Sequence, residues 1–325
     1  MKKPQVVLEP HCQQLVEESK RFTSTNFAIP AEIRKLEKAR YLDDPRAQEG
    51  LPSVSEQEIT ISRPDGSKLE LIIMRPPGTE SQVLPPICFF HGGGWCLGSK
   101  ITYRRPVYEL VVRARAAVVF VDYSLAPEAP FPTAVHECLD AVVWLANEEN
   151  AKSINVDPTK LVLLGDSAGG NLSTVISLYA KQRGMPDIVK GQVLVYPATD
   201  GSHESESFVE FAENYGLTAD SAKHLWSLYV PDEKERRENI WSSPLRASVD
   251  QLNGMPRALV ITAEGDVLRE EGESYARKLL EAGNDVTAVR YLGIIHGVFN
   301  SPTLSPSVDG MLDHIAAWLQ STWKK

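Results

Sequence analysis

Between Pro86 and Tyr196 short runs that are apolar at every position alternate with segments that are apolar on one helical face only, and this rhythm limits the chain to very few folds. The runs are Ile87-Cys88-Phe89-Phe90, Ala116 to Val121, Leu161-Val162-Leu163-Leu164 and Val193-Leu194-Val195-Tyr196. A strand that is apolar on both faces has to be covered on both. The segments between them carry Val107, Leu110, Val111 and Ala114, then Val135, Leu139 and Val142, at helical spacing. Strand, helix and strand in turn give an α/β class with a mostly parallel, doubly wound sheet, whose ligands sit at the strand C-terminal ends.

The pattern extends beyond this block on both sides. Ile59 and Ile61 alternate, Pro64-Asp65-Gly66 makes a turn, and Leu69, Leu71 and Ile73 alternate again, which predicts an antiparallel hairpin that opens the sheet. Later come a strand at Ala258 to Thr262, a helix from Glu271 to Ala282, a strand from Val286 to Tyr291, and a closing helix bearing Leu312, Ile315, Ala316 and Leu319. From about Asp200 to Ser243 the rhythm stops. There Phe208, Phe211 and Tyr215 precede a helix N-capped by Thr218, which shows Ala222, Leu225, Trp226 and Tyr229 on one face. The expected organisation is therefore a core of residues 51–199 and 244–325, with a helical cap built from residues 1–50 and an insertion at 200–243. In 1–50 only a short helix, Ala31 to Arg40, is predicted, and no chemistry is legible.

The Leu161 strand runs straight into Gly165-Asp166-Ser167-Ala168-Gly169-Gly170, and Leu172, Val175, Ile176 and Tyr179 then follow at helical spacing. A serine on such a strand-turn-helix presents its hydroxyl outward, with small residues two positions to either side so that strand and helix can approach. A nucleophilic serine needs a base, an acid that orients the base, and donors for the oxyanion. Of the seven histidines, His11, His203 and His224 lie in the presumed cap, His136 and His314 in amphipathic helices, and His91 at a strand end. His296, in the loop after the last strand, is the candidate base. Asp266 follows the Ala258 strand and lies between serine and histidine in the chain, which makes it the candidate acid; Glu264 is its local competitor. The three glycines of His91-Gly92-Gly93-Gly94-Trp95 leave their amides unshielded, so the amides of Gly92, Gly93 and Ala168 are the candidate oxyanion donors. Trp95, Phe211, Tyr215, Trp226 and Phe299 are the candidate walls of an apolar substrate pocket.

Charge and cysteines narrow the partners. A net charge of −9 without a basic cluster argues against nucleic acid and anionic membrane surfaces. No apolar run is long enough for a membrane span or a secretory signal, and Cys12, Cys88, Cys96 and Cys138 form no metal or redox motif. The expectation is a cytoplasmic protein with no metal and no cofactor, acting on a small molecule, with a homodimer left open.

These motifs resemble the hormone-sensitive-lipase family of α/β-hydrolase esterases. The resemblance rests on the His91 to Gly94 loop and the Gly165 to Gly170 elbow. Tyr123-Ser124-Leu125-Ala126-Pro127-Glu128, Phe131-Pro132, Tyr196-Pro197, Ser243-Pro244-Leu245-Arg246 and the Gly293 to Gly297 loop add to it. It implies an α/β-hydrolase fold, a triad of Ser167, Asp266 and His296, a cap of the two segments already drawn, and hydrolysis of small to medium carboxylic esters through an acyl-enzyme. Two alternatives stay open under it. One is a non-catalytic small-molecule receptor, since the plant gibberellin receptors resemble this family but lack its histidine. The other is amide or lactone hydrolysis, or dehydration, by the same triad. One departure is that Asp266 is followed by Val267, where the family usually has proline.

Overall fold

Side chains of successive strand residues point to opposite faces, so a run such as Ile87-Cys88-Phe89-Phe90 needs one layer of helices above it and one below. The computed structural model, which describes residues 6–20 and 30–324, has this arrangement. Its strands are β1 (Ser55–Ser62), β2 (Lys68–Arg75), β3 (Pro86–Phe90), β4 (Ala117–Asp122), β5 (Val162–Asp166), β6 (Gly191–Val195), β7 (Arg257–Gly265) and β8 (Val286–Ile295). Among the described residues they form one sheet in the order β1-β2-β4-β3-β5-β6-β7-β8. β1 and β2 are the predicted hairpin, with Ile59 opposite Leu71 and Ile61 opposite Leu69, and β2 is also antiparallel to β4. All remaining pairings are parallel. This is the α/β-hydrolase fold.

The helices are α1 (Pro10–Lys20), α2 (Pro30–Asp43), α3 (Arg104–Ala114), α4 (Thr133–Ala146), α5 (Glu148–Ser153), α6 (Ala168–Gln182), α7 (Glu206–Glu210), α8 (Ala219–Tyr229), α9 (Glu233–Glu238), α10 (Val249–Leu252), α11 (Arg269–Glu281) and α12 (Pro306–Trp323). Ile87 and Phe89 pack with Val107 and Leu110 of α3 and Leu312 and Ile315 of α12. Cys88 and Phe90 pack on the other face with Val135 and Leu139 of α4 and Leu172 and Val175 of α6. The two faces of one strand thus serve two separate cores.

Two departures from the sequence reading bear on the site. α1 is an additional helix, invisible to periodicity because it buries only Cys12 and Val16 among its described side chains. β8 runs on past Tyr291 to Ile295, because a register shift between Ala263 and Gly265 and a left-handed Gly293 (φ +71°) let the pairing resume at Gly265 and Ile295. β7 and β8 therefore end side by side, and the residues following them, Asp266 and His296, emerge at the same edge.

Candidate active site

The turn at the end of β5 holds Ser167 at φ 53°, ψ −117°, a backbone region that costs a non-glycine residue of order 1–3 kcal/mol and is kept only where neighbours enforce it. The neighbours are identifiable. The Ser167 amide donates to the Val195 carbonyl at 2.8 Å, and the Ser167 carbonyl accepts from Ala198 at 3.1 Å and from Asn171 at 3.0 Å. The crossing of β5 and α6 is so close that a Cβ on Gly169 would stand 1.8 Å from the Phe90 carbonyl oxygen, and one on Gly165 2.3 Å from the Gly169 backbone. Only glycine fits there.

His296 lies between two partners. Its Nε2 is 2.8 Å from Ser167 Oγ and its Nδ1 2.9 Å from Asp266 Oδ2. Asp266 is fully buried, and its second oxygen accepts the Leu268 amide at 2.9 Å. A buried carboxylate facing Nδ1 accepts a hydrogen bond from it, which keeps the proton on Nδ1 and leaves Nε2 as an acceptor, the tautomer a base needs to receive a serine proton. Glu264 faces elsewhere, accepting the Gly293 amide at 2.8 Å, and so braces the irregular end of β8. Where the resemblance leads one to expect proline, Val267 is fixed by other means: its carbonyl accepts the Ser207 hydroxyl of α7 at 2.9 Å, and the Ser207 hydroxyl oxygen in turn accepts the Glu270 amide at 3.1 Å.

The glycine loop requires a correction. The Gly92 amide donates to Asp166 Oδ1 at 2.9 Å, so it is spent on a buried carboxylate and cannot serve an oxyanion. Gly93 and Gly94 line the cavity beside Ser167, and their amides have no acceptor among the described residues. Ala168 is fully buried at the first position of α6, with its amide at the positive end of that helix. Gly94 escaped the sequence reading because three consecutive glycines look alike; the discriminating signal was Asp166, an acceptor next to Ser167 with no other assignment.

His91 is also accounted for. Burial pushes its imidazole down to about 4, it lies 4.3 Å from the Tyr123 ring and 5.4 Å from that of Phe120, and its Nδ1 donates to the Gly92 carbonyl at 2.7 Å. It is a neutral strut under the loop.

The cavity above Ser167 measures about 200 Å³. Trp95 and Trp226 line it, joined by Leu217, Ala222 and Leu225, and Trp95 stacks on Tyr229 with ring centroids 4.3 Å apart. The other three aromatic candidates are elsewhere. Phe211 packs against Tyr215 and under the Arg269 guanidinium, Tyr215 borders a separate open groove with Val6 and Leu8, and Phe299 is buried in the α3–α12 core while its amide donates to the Tyr196 hydroxyl at 3.0 Å. Aromatic content alone could not separate wall from packing, since each of these residues fills apolar space in either case.

Asp166 is wholly buried and also accepts the Tyr103 hydroxyl at 3.0 Å. Burial pushes its carboxyl up to about 6, against the opposing pull of Tyr103, the Gly92 amide and the charge on His296. Between the unfolded value of 3.8 and about 6 the folded state holds more protons than the unfolded one, so this group's contribution to stability falls as pH rises through that window. Asp166→Asn removes the titration. The stability difference, variant minus wild type, should grow by about 2 kcal/mol between pH 4 and pH 7, as read from denaturant unfolding at a series of pH values; a difference independent of pH would contradict it.

Comparison with known proteins gives the family. A family profile described as an alpha/beta hydrolase fold matches residues 87–300. The solved structure of a fungal esterase from Rhizomucor miehei superposes with a TM-score of 0.96 at 62% identity, over 99% of this chain and 98% of that one. The carboxylesterase NlhH of Mycobacterium tuberculosis is 36% identical over 224 residues, 69% of each protein. An alpha/beta hydrolase of Acanthamoeba polyphaga mimivirus is 35% identical over 238 residues, 73% of this chain but 64% of the viral protein.

Proposed function

The chain belongs to the α/β-hydrolase family, in its hormone-sensitive-lipase branch, and from that premise we propose that Ser167, His296 and Asp266 form a triad that cleaves carboxylic esters through an acyl-enzyme. The observation that carries the proposal is the unbroken relay from Ser167 Oγ through both imidazole nitrogens to Asp266 Oδ2. The protein is a carboxylic ester hydrolase. His296 accepts the hydroxyl proton as Ser167 attacks the ester carbonyl, and the resulting oxyanion meets the amides of Gly93, Gly94 and Ala168, each worth about 3 kcal/mol in the transition state. His296 then protonates the departing alcohol. Water, activated by the same imidazole, releases the acid and restores Ser167.

The presence of the base argues against a silent receptor, and the esterase relatives do not favour amide, lactone or dehydration chemistry. Residues 200–243 act as the cap together with the described parts of 1–50, a reading supported for the insertion by Leu217, Ala222, Leu225 and Trp226, which line the cavity; residues 1–5 and 21–29 of the expected cap lie outside the described residues. The partner is a small-molecule ester with a short or medium acyl group, because about 200 Å³ of mainly apolar space holds little more. Among the described residues no helix is long and apolar enough to cross a membrane. Cys12, Cys88, Cys96 and Cys138 are all free thiols and buried, which suits a reducing compartment and supports a cytoplasmic location.

Two measurements test the reading. A fluorophosphonate should add one label per chain, found on Ser167 by peptide mass spectrometry. Turnover of para-nitrophenyl esters should be highest between acetate and hexanoate and collapse by palmitate. A label elsewhere, or activity that climbs steadily with chain length, contradicts it.

A further inference from the structure

The N-terminal segment gave no chemistry in sequence, yet one of its side chains reaches the loop that faces Ser167. Arg34, on α2, donates from Nε to the Cys96 carbonyl at 2.6 Å and from Nη2 to the Ala126 carbonyl at 2.7 Å. Its two terminal nitrogens also grip Glu128, at 3.0 and 2.8 Å. Three acceptors in different directions suit a planar guanidinium with five donors and cannot be matched by an ammonium. Both carbonyls belong to loops that are themselves joined, since the Ala126 amide donates to the Trp95 carbonyl at 2.9 Å. One turn beyond Arg34, Glu37 faces the Gly98 amide, so α2 meets this loop at two points.

The route from Arg34 to the reacting centre is short and stiff. The Cys96 carbonyl and the Leu97 amide are two ends of one rigid peptide unit. That Leu97 amide donates to the Gly93 carbonyl at 2.9 Å, and the Cys96 amide reaches the same oxygen at 3.1 Å. The Gly93 carbonyl and the Gly94 amide are again two ends of one peptide unit. Two planar units therefore separate the guanidinium from a donor aimed at the oxyanion. We infer that Arg34 is a positioning residue for ester hydrolysis, fixing through the Cys96 and Gly93 peptides the direction of the Gly94 amide. The inference rests on the esterase reading above, and it gives α2 a part in catalysis although no described residue of α2 lines the cavity.

The test compares wild type with Arg34→Ala, Arg34→Lys and Glu128→Gln, each corrected for its functional fraction by fluorophosphonate titration. Removing Arg34 is expected to lower kcat by about 10- to 100-fold, the penalty of a misplaced donor, with little change in KM. A trifluoromethyl ketone, which becomes tetrahedral on the serine, should weaken in step with kcat/KM, whereas its unreactive methyl ketone counterpart should bind as before. Arg34→Lys should recover only part of the loss. Glu128→Gln leaves both carbonyl bonds in place and should stay within about fivefold of wild type. A purely structural role would lower the melting temperature without separating the two ketones. Unchanged kcat and ketone affinity in Arg34→Ala overturn the inference, and should that variant not fold, wild-type values in Arg34→Lys do the same. Wild type inert to every ester would instead sink the underlying reading, so the two failures are distinguishable.

Discussion

Ser167→Ala is expected to lower kcat on para-nitrophenyl butyrate by about 10^4-fold or more, while KM and the melting temperature stay close to wild type. The loss is large because in the proposed mechanism the hydroxyl is the group that forms the acyl-enzyme; without it His296 can only activate water against a carbonyl placed for a different nucleophile. The fold should survive, since the bonds that hold the elbow are made by the backbone of residue 167, through its amide to Val195 and its carbonyl to Ala198 and Asn171. Alanine at φ 53° bears much the same strain as serine. Activity should not vanish altogether, because the Gly93, Gly94 and Ala168 amides remain, and a trifluoromethyl ketone that bonds to serine in the wild type should bind the variant far more weakly. Turnover within tenfold of wild type, after exclusion of a contaminating esterase by fluorophosphonate labelling, would remove serine from the mechanism.

How much of this was readable in advance differs from element to element. β3, β4, β5 and β6 were legible because burial on both faces leaves runs of consecutive apolar residues, with Asp122, Asp166 and Gln192 confined to the strand ends. α3 and α12 were legible for the opposite reason, each keeping one face polar and one face buried. The end of β8 was not. Gly293 reads as a stop, and only the partner strand, with its own irregularity between Ala263 and Gly265, shows that pairing continues to Ile295. α1 carries too few buried side chains to produce a period.

The site shows the same division between what is local and what is relational. Ser167 could be nominated from its own neighbours, since strand, turn and helix are adjacent in sequence. Which glycine amide stays open could not, because the answer depends on Asp166 turning back toward Gly92 across the sheet. The pocket walls were only partly within reach, Trp95 and Trp226 of the five aromatic candidates lining the cavity, for a related reason: Trp226 and Phe211 are both buried aromatics of the same insertion, and only the path of α8 decides that one borders the cavity. Arg34 is the clearest case, an ordinary helical arginine until its three acceptors, all more than sixty positions away, are in view.

Asp266→Asn is expected to cost about 10^4-fold in kcat, and Glu264→Gln to cost little, which decides between the two acids the sequence left in competition. The imidazole makes one bond at each nitrogen, so the group opposite Nδ1 dictates what Nε2 can do. A carboxylate can only accept when ionised, which keeps the proton on Nδ1 and the lone pair on Nε2 pointed at Ser167. An asparagine amide presented to Nδ1 through its NH2 reverses this, placing the proton on Nε2, where it meets the hydroxyl as a second donor and general base catalysis stops. The substitution is nearly isosteric, and the Leu268 amide retains an oxygen to bond, so packing is preserved and the effect should fall on kcat rather than on stability. Because the variant lacks an acceptor for an imidazolium proton, its remaining activity should rise with pH, as hydroxide takes over from the disabled base. Glu264, engaged by the Gly293 amide at 2.8 Å and turned away from the ring, predicts the contrast: its glutamine variant keeps an acceptor for that amide and should retain wild-type kcat within a few fold while losing a little stability at the end of β8. The reverse pattern, a crippled Glu264→Gln and an active Asp266→Asn, would move the acid two residues back along β7 and break the relay on which the esterase mechanism depends.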